Sequence, residues 1–130
     1  MATPQRARVG QNAEVIGLIP HMQISDIPFG TTDWSNIERT EHKGERGFAY
    51  WQTQHFGSIR VRMVEYTPGY FADHWCSKGH ILLCLEGELH TELNDGRMFK
   101  LSPGMSYQVA DKAEPHRSYT EHGAKLFIVD

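Results

Sequence analysis

The densest chemistry in the chain lies between Ala72 and His80, which reads Ala-Asp-His-Trp-Cys-Ser-Lys-Gly-His. Imidazole and thiolate side chains are good ligands for Zn, Fe, Ni or Cu and poor ones for Mg or Ca. If Tyr70 to Cys76 is a strand, His74 and Cys76 share a face, because side chains two apart point the same way. Asp73 and Trp75 then point to the other face. The Ser77-Lys78-Gly79 turn brings His80 onto the next strand, beside the first pair. A fourth ligand comes from His116, which follows Glu114-Pro115 near the start of a later strand. The expected metal set is therefore His74, Cys76, His80 and His116, with Cys76 either a direct ligand or a thiol standing behind the ligands or in the core. Four convergent groups of this kind are costly to bury without a metal.

The elements that position them follow from punctuation. Turn signals recur every several residues after position 13, among them Pro68-Gly69, Lys78-Gly79, Asn94-Asp95-Gly96, Ser102-Pro103-Gly104 and His122-Gly123. Between them lie short segments rich in β-branched and aromatic residues. Gly47–Thr53, Ser58–Tyr66, His80–Leu85, Glu88–Leu93, Arg97–Leu101, Met105–Val109, His116–Thr120 and Lys125–Val129 read as strands. In Ser58–Tyr66, Ile59, Val61 and Met63 alternate with Arg60 and Arg62, which marks one wet face. His80–Leu85 (HILLCL) is continuously apolar and reads as a strand buried on both faces. Thr32–Glu38 can hold one helical turn, with Thr32 or Asp33 as its cap. Many short, evenly spaced strands in one domain predict an all-β sandwich or barrel.

Composition sets the frame. At 130 residues and 14.9 kDa the chain has room for one domain, expected as a loose tail over residues 1–12 and a barrel over residues 13–130. A net charge of −3 gives no electrostatic reason to expect nucleic-acid or anionic-membrane partners. The longest apolar run, Ile81–Leu85, is too short to span a bilayer, and no signal segment is visible, so a cytoplasmic location is expected. Two cysteines, Cys76 and Cys84, cannot form a disulfide framework, and Cys84, inside an apolar run, reads as core.

From Pro68 to Asp130 the chain resembles the cupin superfamily. The first cupin motif runs from a glycine through His-x-His and Glu to a second glycine. Here a closely similar spacing, one residue shorter between the glycine and the first His, carries Gly69, His74-x-Cys76, His80 and Gly87, with Leu85-Glu86-Gly87-Glu88 similar to the motif's strand end. The second motif has Pro-x-Gly, His and Asn; here Gly104, Asp111-x-Ala113, His116 and Thr120 stand at those places, so the Pro, Gly and Asn are all replaced and the likeness of His116 rests on Pro115-His116 and spacing. Asp73-His74-Trp75-Cys76 with Lys78-Gly79-His80 looks like a narrower group, the small bacterial cupins with an Asp-His-Cys-Trp motif. The resemblance implies an all-β jelly-roll barrel of two antiparallel sheets, with a site in its mouth. It also implies a divalent transition metal (Fe, Zn, Mn or Ni) at His74 and His116. Cys76 stands in place of the motif's second His and His80 in place of its Glu. Exchanging carboxylate for imidazole removes a negative charge that a Cys76 thiolate would restore.

Other residues carry weaker signals. Arg60 and Arg62 read as a solvated or interface face; if that face instead lines the barrel, they could hold a carboxylate substrate. Asp73 reads as a turn cap or surface partner, with orientation of a histidine as its alternative role. Trp34, Trp51 and Trp75 read as core or interface. His21, His42, His55, His90 and His122 read as surface residues. The function expected is a metal-dependent enzyme acting on a small-molecule substrate through an open coordination position. The alternative is a non-catalytic metal- or ligand-binding module, for which a closed His₃Cys set would be the mark. A metal-free reading makes Cys76 a nucleophile with His74 or His80 as base. Sheet packing into a homodimer is also expected.

Overall fold

A computed structural model describes residues 24–130. The expected tail over residues 1–12, the proposed start of the barrel at residue 13 and His21 lie outside the described residues. Among the described residues a 3₁₀ turn at Trp34–Asn36 comes first, capped by the Asp33 side chain, which accepts from Ser35 N. Nine strands follow: β1 Arg39–Lys43, β2 Phe48–Phe56, β3 Ile59–Tyr66, β4 His80–Gly87, β5 Leu89–Leu93, β6 Met98–Leu101, β7 Ser106–Val109, β8 His116–Tyr119 and β9 Ala124–Val129. They form a six-stranded antiparallel sheet, β1-β2-β3-β9-β4-β7, and a three-stranded one, β6-β5-β8. The architecture is the expected two-sheet jelly roll, with the sheets not closed into a continuous barrel.

Two strand expectations change. β1 (Arg-Thr-Glu-His-Lys) has no apolar run to announce it; it is an edge strand, and charged side chains are what keep such an edge from pairing with another chain. β4 is not buried on both faces. Leu82 and Cys84 are in the core, while Ile81 on the opposite face is 60% exposed. Among the described residues only one face of this sheet is covered at β4, so alternation decides burial even within an unbroken apolar run.

The inward face of the large sheet is graded along its strands. Its closed end carries the core: Val64, Leu126, Cys84 and, across the gap, Leu89 and Leu101, with Trp51 packed against them. Towards the other end the cross-strand rows turn polar. Arg62 pairs with Ile128, and Leu82 with Tyr107. The next row joins Arg60 to Asp130 by backbone hydrogen bonds at 2.6 and 2.8 Å, with His80 one strand further on. The smaller sheet contributes Thr91, Ser118 and His116 to the interior.

Gly87 sits where the chain leaves the large sheet for the small one. Its φ is +78°, and a Cβ there would lie 2.0 Å from the Gly123 carbonyl oxygen, so only glycine fits.

A candidate metal centre in the barrel mouth

The expected Tyr70–Cys76 strand does not form. Phe71 bridges Tyr119 and Cys76 bridges His116, but between them Ala72-Asp73-His74-Trp75 spans only Arg117-Ser118 on β8. The surplus residues must leave the sheet, and Asp73–Trp75 loops outwards. The regular strand that was to place His74 and Cys76 on one face is absent, yet both side chains line the same cavity. His74 turns to the rim, its side chain 74% exposed, with Nδ1 2.6 Å from Asp73 Oδ1. Asp73 thus orients a histidine and also remains at the surface.

Cys76 is held at the site by its backbone. Its N–H donates to His116 O at 2.7 Å, and His116 N–H returns a bond to Cys76 O at 3.0 Å. His80 is placed by the turn before it. Gly79 N donates to Asp111 Oδ1 at 2.6 Å, and a Cβ on Gly79 would lie 2.5 Å from Asp111 N, which explains the glycine. The outcome is a group of three, Cys76, His80 and His116, whose donor atoms lie within 4.8 Å of one another. His74 lines the same cavity but is not part of the group.

The two imidazoles are oriented from behind. His116 Nδ1 is 2.9 Å from Glu114 O; a carbonyl only accepts, so Nδ1 donates and neutral His116 presents its Nε2 lone pair inwards. His80 Nδ1 is buried without a hydrogen-bond partner and faces Asp130 Oδ2 at 3.5 Å. Carboxylate and carbonyl groups behind the distal nitrogen are how metal-binding histidines are held. The two Nε2 atoms are 3.2 Å apart. Two nitrogens bound to one tetrahedral Zn would be about 3.3 Å apart, so this pair fits one ion. Tyr107 Oη stands 3.1 Å from His80 Nε2.

The electrostatics suit a ligand set. The hydrogen bond with His116 draws the Cys76 thiol below its ordinary value, against burial, and the same bond raises His116. Burial, joined by the charge of His116, pushes His80 down to about 4. In the metal-free fold Cys76 and His116 thus favour a thiolate–imidazolium pair beside a neutral His80; thiolate and neutral imidazole are forms that bind metal, and His116 would have to give up its proton to join them. Burial pushes the Asp130 carboxyl up, but the hydrogen bond from Arg60 and the charges of Arg62 and Arg60 outweigh it and hold it below the ordinary carboxylate value.

The three groups open on a cavity of about 280 Å³. Its walls include Trp51, Tyr66, Tyr107, Arg60 and Arg62. The reading of Arg60 and Arg62 as a solvated face is therefore corrected: Arg62 is 6% exposed, and both arginines bind Asp130 inside the fold. The alternation in β3 was real, but its polar side points inwards. Asp130 itself carried no sequence signal, being one acidic residue after a strand. Of the other histidines, His55 and His122 are exposed, whereas His42 is half-buried and stacks on Trp51, and His90 is half-buried and stacks on Tyr119. Cys84 is core, as expected. Trp34 packs edge-on against Phe127, and Trp75 is partly exposed beneath the Arg117 guanidinium.

This is a cupin fold. A predicted oxalate decarboxylase from Thermotoga maritima superimposes with a TM-score of 0.64 at 13% identity, over 77% of this chain and 96% of that one. An RmlC-like cupin from Shewanella frigidimarina gives 0.61 at 18% identity, over 80% and 91% of the two chains. A cupin-superfamily sugar phosphate isomerase from Silicibacter pomeroyi gives 0.61 at 15%, over 77% and 74%. No protein-family model matches the sequence, and no curated protein does. Identities this low speak for the fold and not for the reaction. Among the described residues no helix is long and apolar enough to cross a membrane.

Proposed function

We propose that the protein is a metal-dependent enzyme of cupin fold, acting on a small molecule in the cavity beside Cys76, His80 and His116. These three would hold a divalent transition metal, Fe, Zn, Mn or Ni. The observation that carries the reading is the number of converging donors: three come together, whereas a structural tetrahedral site takes four. When bound, such an ion supplies Lewis acidity or oxygen activation at its free positions. Glu114 O and Asp130 orient the two imidazoles, and Cys76 contributes the negative charge.

His74 is the fourth member of the set expected from sequence. Its place on the cavity rim supports a role at the entrance, in reach of a bound molecule. Were His74 to complete a His₃Cys set, the protein would be the non-catalytic binding module instead. The Asp73-His74-Trp75-Cys76 string supports grouping the chain with the small cupins of that motif. The exposed apolar side chains on the outer face of β4, Ile81 and Leu85, support pairing of two copies through the large sheet.

Elemental analysis of protein purified without a histidine tag tests the assignment. Stoichiometric metal in the wild type, lost in His116→Ala, is the expected result. His74→Ala should retain the metal; its loss there would favour the closed binding module. A wild type free of metal under every growth supplement would overturn both readings and leave the Cys76–His116 pair as a thiol site.

A further inference from the structure

The row Arg60–Asp130 and the neighbouring Arg62 are not explained by metal binding alone. Orienting one histidine requires one carboxylate, and one arginine would neutralise it. Here two arginines surround Asp130. Arg60 binds it through Nε and Nη2 at 2.8 and 3.0 Å, and Arg62 adds Nη2 at 3.0 Å. A guanidinium offers five N–H donors. Arg62 is 6% exposed, spends one nitrogen on Asp130, and its Nε has no acceptor. A buried guanidinium with a spare donor is expensive unless something else completes its shell. Among the described residues neither arginine forms another ion pair.

The rest of the cavity has the same sign. Lys78 and Arg117 also line it; among the described residues Asp130 is its only carboxylate, with the Cys76 thiol the one other group that can turn anionic. Arg117 is offset by Glu92 at 3.2 Å; Lys78 has no such partner among the described residues. The surplus positive charge stands in a chain whose net charge is −3, so it is local to the cavity. The remaining wall is aromatic and aliphatic, from Trp51, Tyr66, Tyr70, Tyr107 and Leu82. At about 280 Å³ the space sits at the lower end of the range for small-ligand pockets.

We propose that the molecule bound here is a small organic carboxylate, its anionic end held by Arg60 and Arg62 and its body against the aromatic wall, beside Cys76, His80 and His116. The inference deepens the functional reading and depends on the cavity being the ligand site. Guanidinium pairs fit carboxylates because two parallel N–H donors match two oxygens. Asp130 then has two roles: it faces His80, and it tempers the arginines so that the ligand can leave.

Titration calorimetry with benzoate, and with benzamide as its neutral counterpart, tests this on the full chain, with metal content measured in the same samples. Benzoate should bind saturably and at least about tenfold more tightly than benzamide, the difference expected for a charged hydrogen bond. Arg60→Gln should weaken benzoate by about tenfold or more while leaving benzamide unchanged. This variant is expected to fold, because Arg62 still neutralises Asp130. Asp130→Asn should act in the opposite direction and tighten benzoate, a sign that a purely structural arginine cluster would not give. Equal affinities for benzoate and benzamide, or benzoate binding indifferent to Arg60→Gln, would overturn the proposal. Repeating the titration after chelator treatment separates the two readings. Carboxylate preference without metal would retain the anion site and remove the metal enzyme. Metal without carboxylate preference would do the reverse.

Discussion

His80 carries the clearest consequence at the scale of single residues. Burial and the neighbouring His116 charge bring its folded value to about 4, below the ordinary imidazole value near 6.5. The unfolded chain therefore binds a proton that the folded chain resists. This stabilisation is complete above about pH 6.5 and is lost as pH falls to about 4. Its size is about 3 kcal/mol. Urea denaturation of metal-free protein at pH 7 and pH 4 should show it, and His80→Gln should flatten the difference. A bound metal would steepen the same trend, since ligands must be deprotonated to bind it. Asp130→Ala removes the one carboxylate between two arginines. With the Asp130 side chain 1% exposed, the loss should be about 3–5 kcal/mol, because a buried charge is left uncompensated. Chemical denaturation measures it directly.

Among the elements, two local features carry the site. The first is the looped-out Asp73–Trp75 segment, which frees His74 from the sheet while Cys76 stays anchored to His116. Because both anchoring bonds of Cys76 are backbone bonds, Cys76→Ser should keep the fold, with a melting temperature near that of metal-free wild type, while losing thiolate-dependent metal affinity. The second is the crossing at Gly87. Gly87→Ala combines a left-handed backbone with a Cβ 2.0 Å from a carbonyl oxygen. A destabilisation of about 2 kcal/mol or more is expected, read from urea midpoints. The same substitution at Gly104, where a Cβ would meet nothing within 4 Å, should cost about 1 kcal/mol from φ alone.

For the whole molecule, the metal and the fold should stabilise each other. The proposed ligands come from three separate segments, the 73–79 loop, β4 and β8, which only the folded chain brings together. A metal present at a thousandfold over its dissociation constant stabilises by about 4 kcal/mol. Chelator treatment should lower the melting temperature accordingly, and His116→Ala should be insensitive to it. Pairing through the large sheet would show as a doubled mass by light scattering. Ile81→Lys should then return the protein to single copies, since a charge on that face cannot be buried without a partner.

Turn chemistry and period-two alternation made most of the strands and the all-β class legible, because both are set by residues within a few positions of each other; β1 and the broken 70–76 segment escaped them, and the two-sheet arrangement came from the likeness to cupins. The spacing of Cys76, His80 and His116 was legible for the same reason, aided by its likeness to the cupin motifs. His74 shares the cavity with Cys76 but stands outside the group of converging donors, because the loop that carries it depends on how residues 71–76 align with β8, far along the chain. In β3 the sequence showed two faces but not which one turns inwards. Ile59, Val61 and Met63 read as the side opposite the wet face, yet Arg62 and Val64 are the buried residues. Asp130 decides this, since its side chain compensates Arg60 and Arg62 across about seventy positions of sequence. Local residue types determined which strands and ligand-type side chains exist. Only the tertiary pairing of β3, β9 and β4 decided that two arginines would be buried, because burying a charge is tolerable only where the fold supplies its counter-charge.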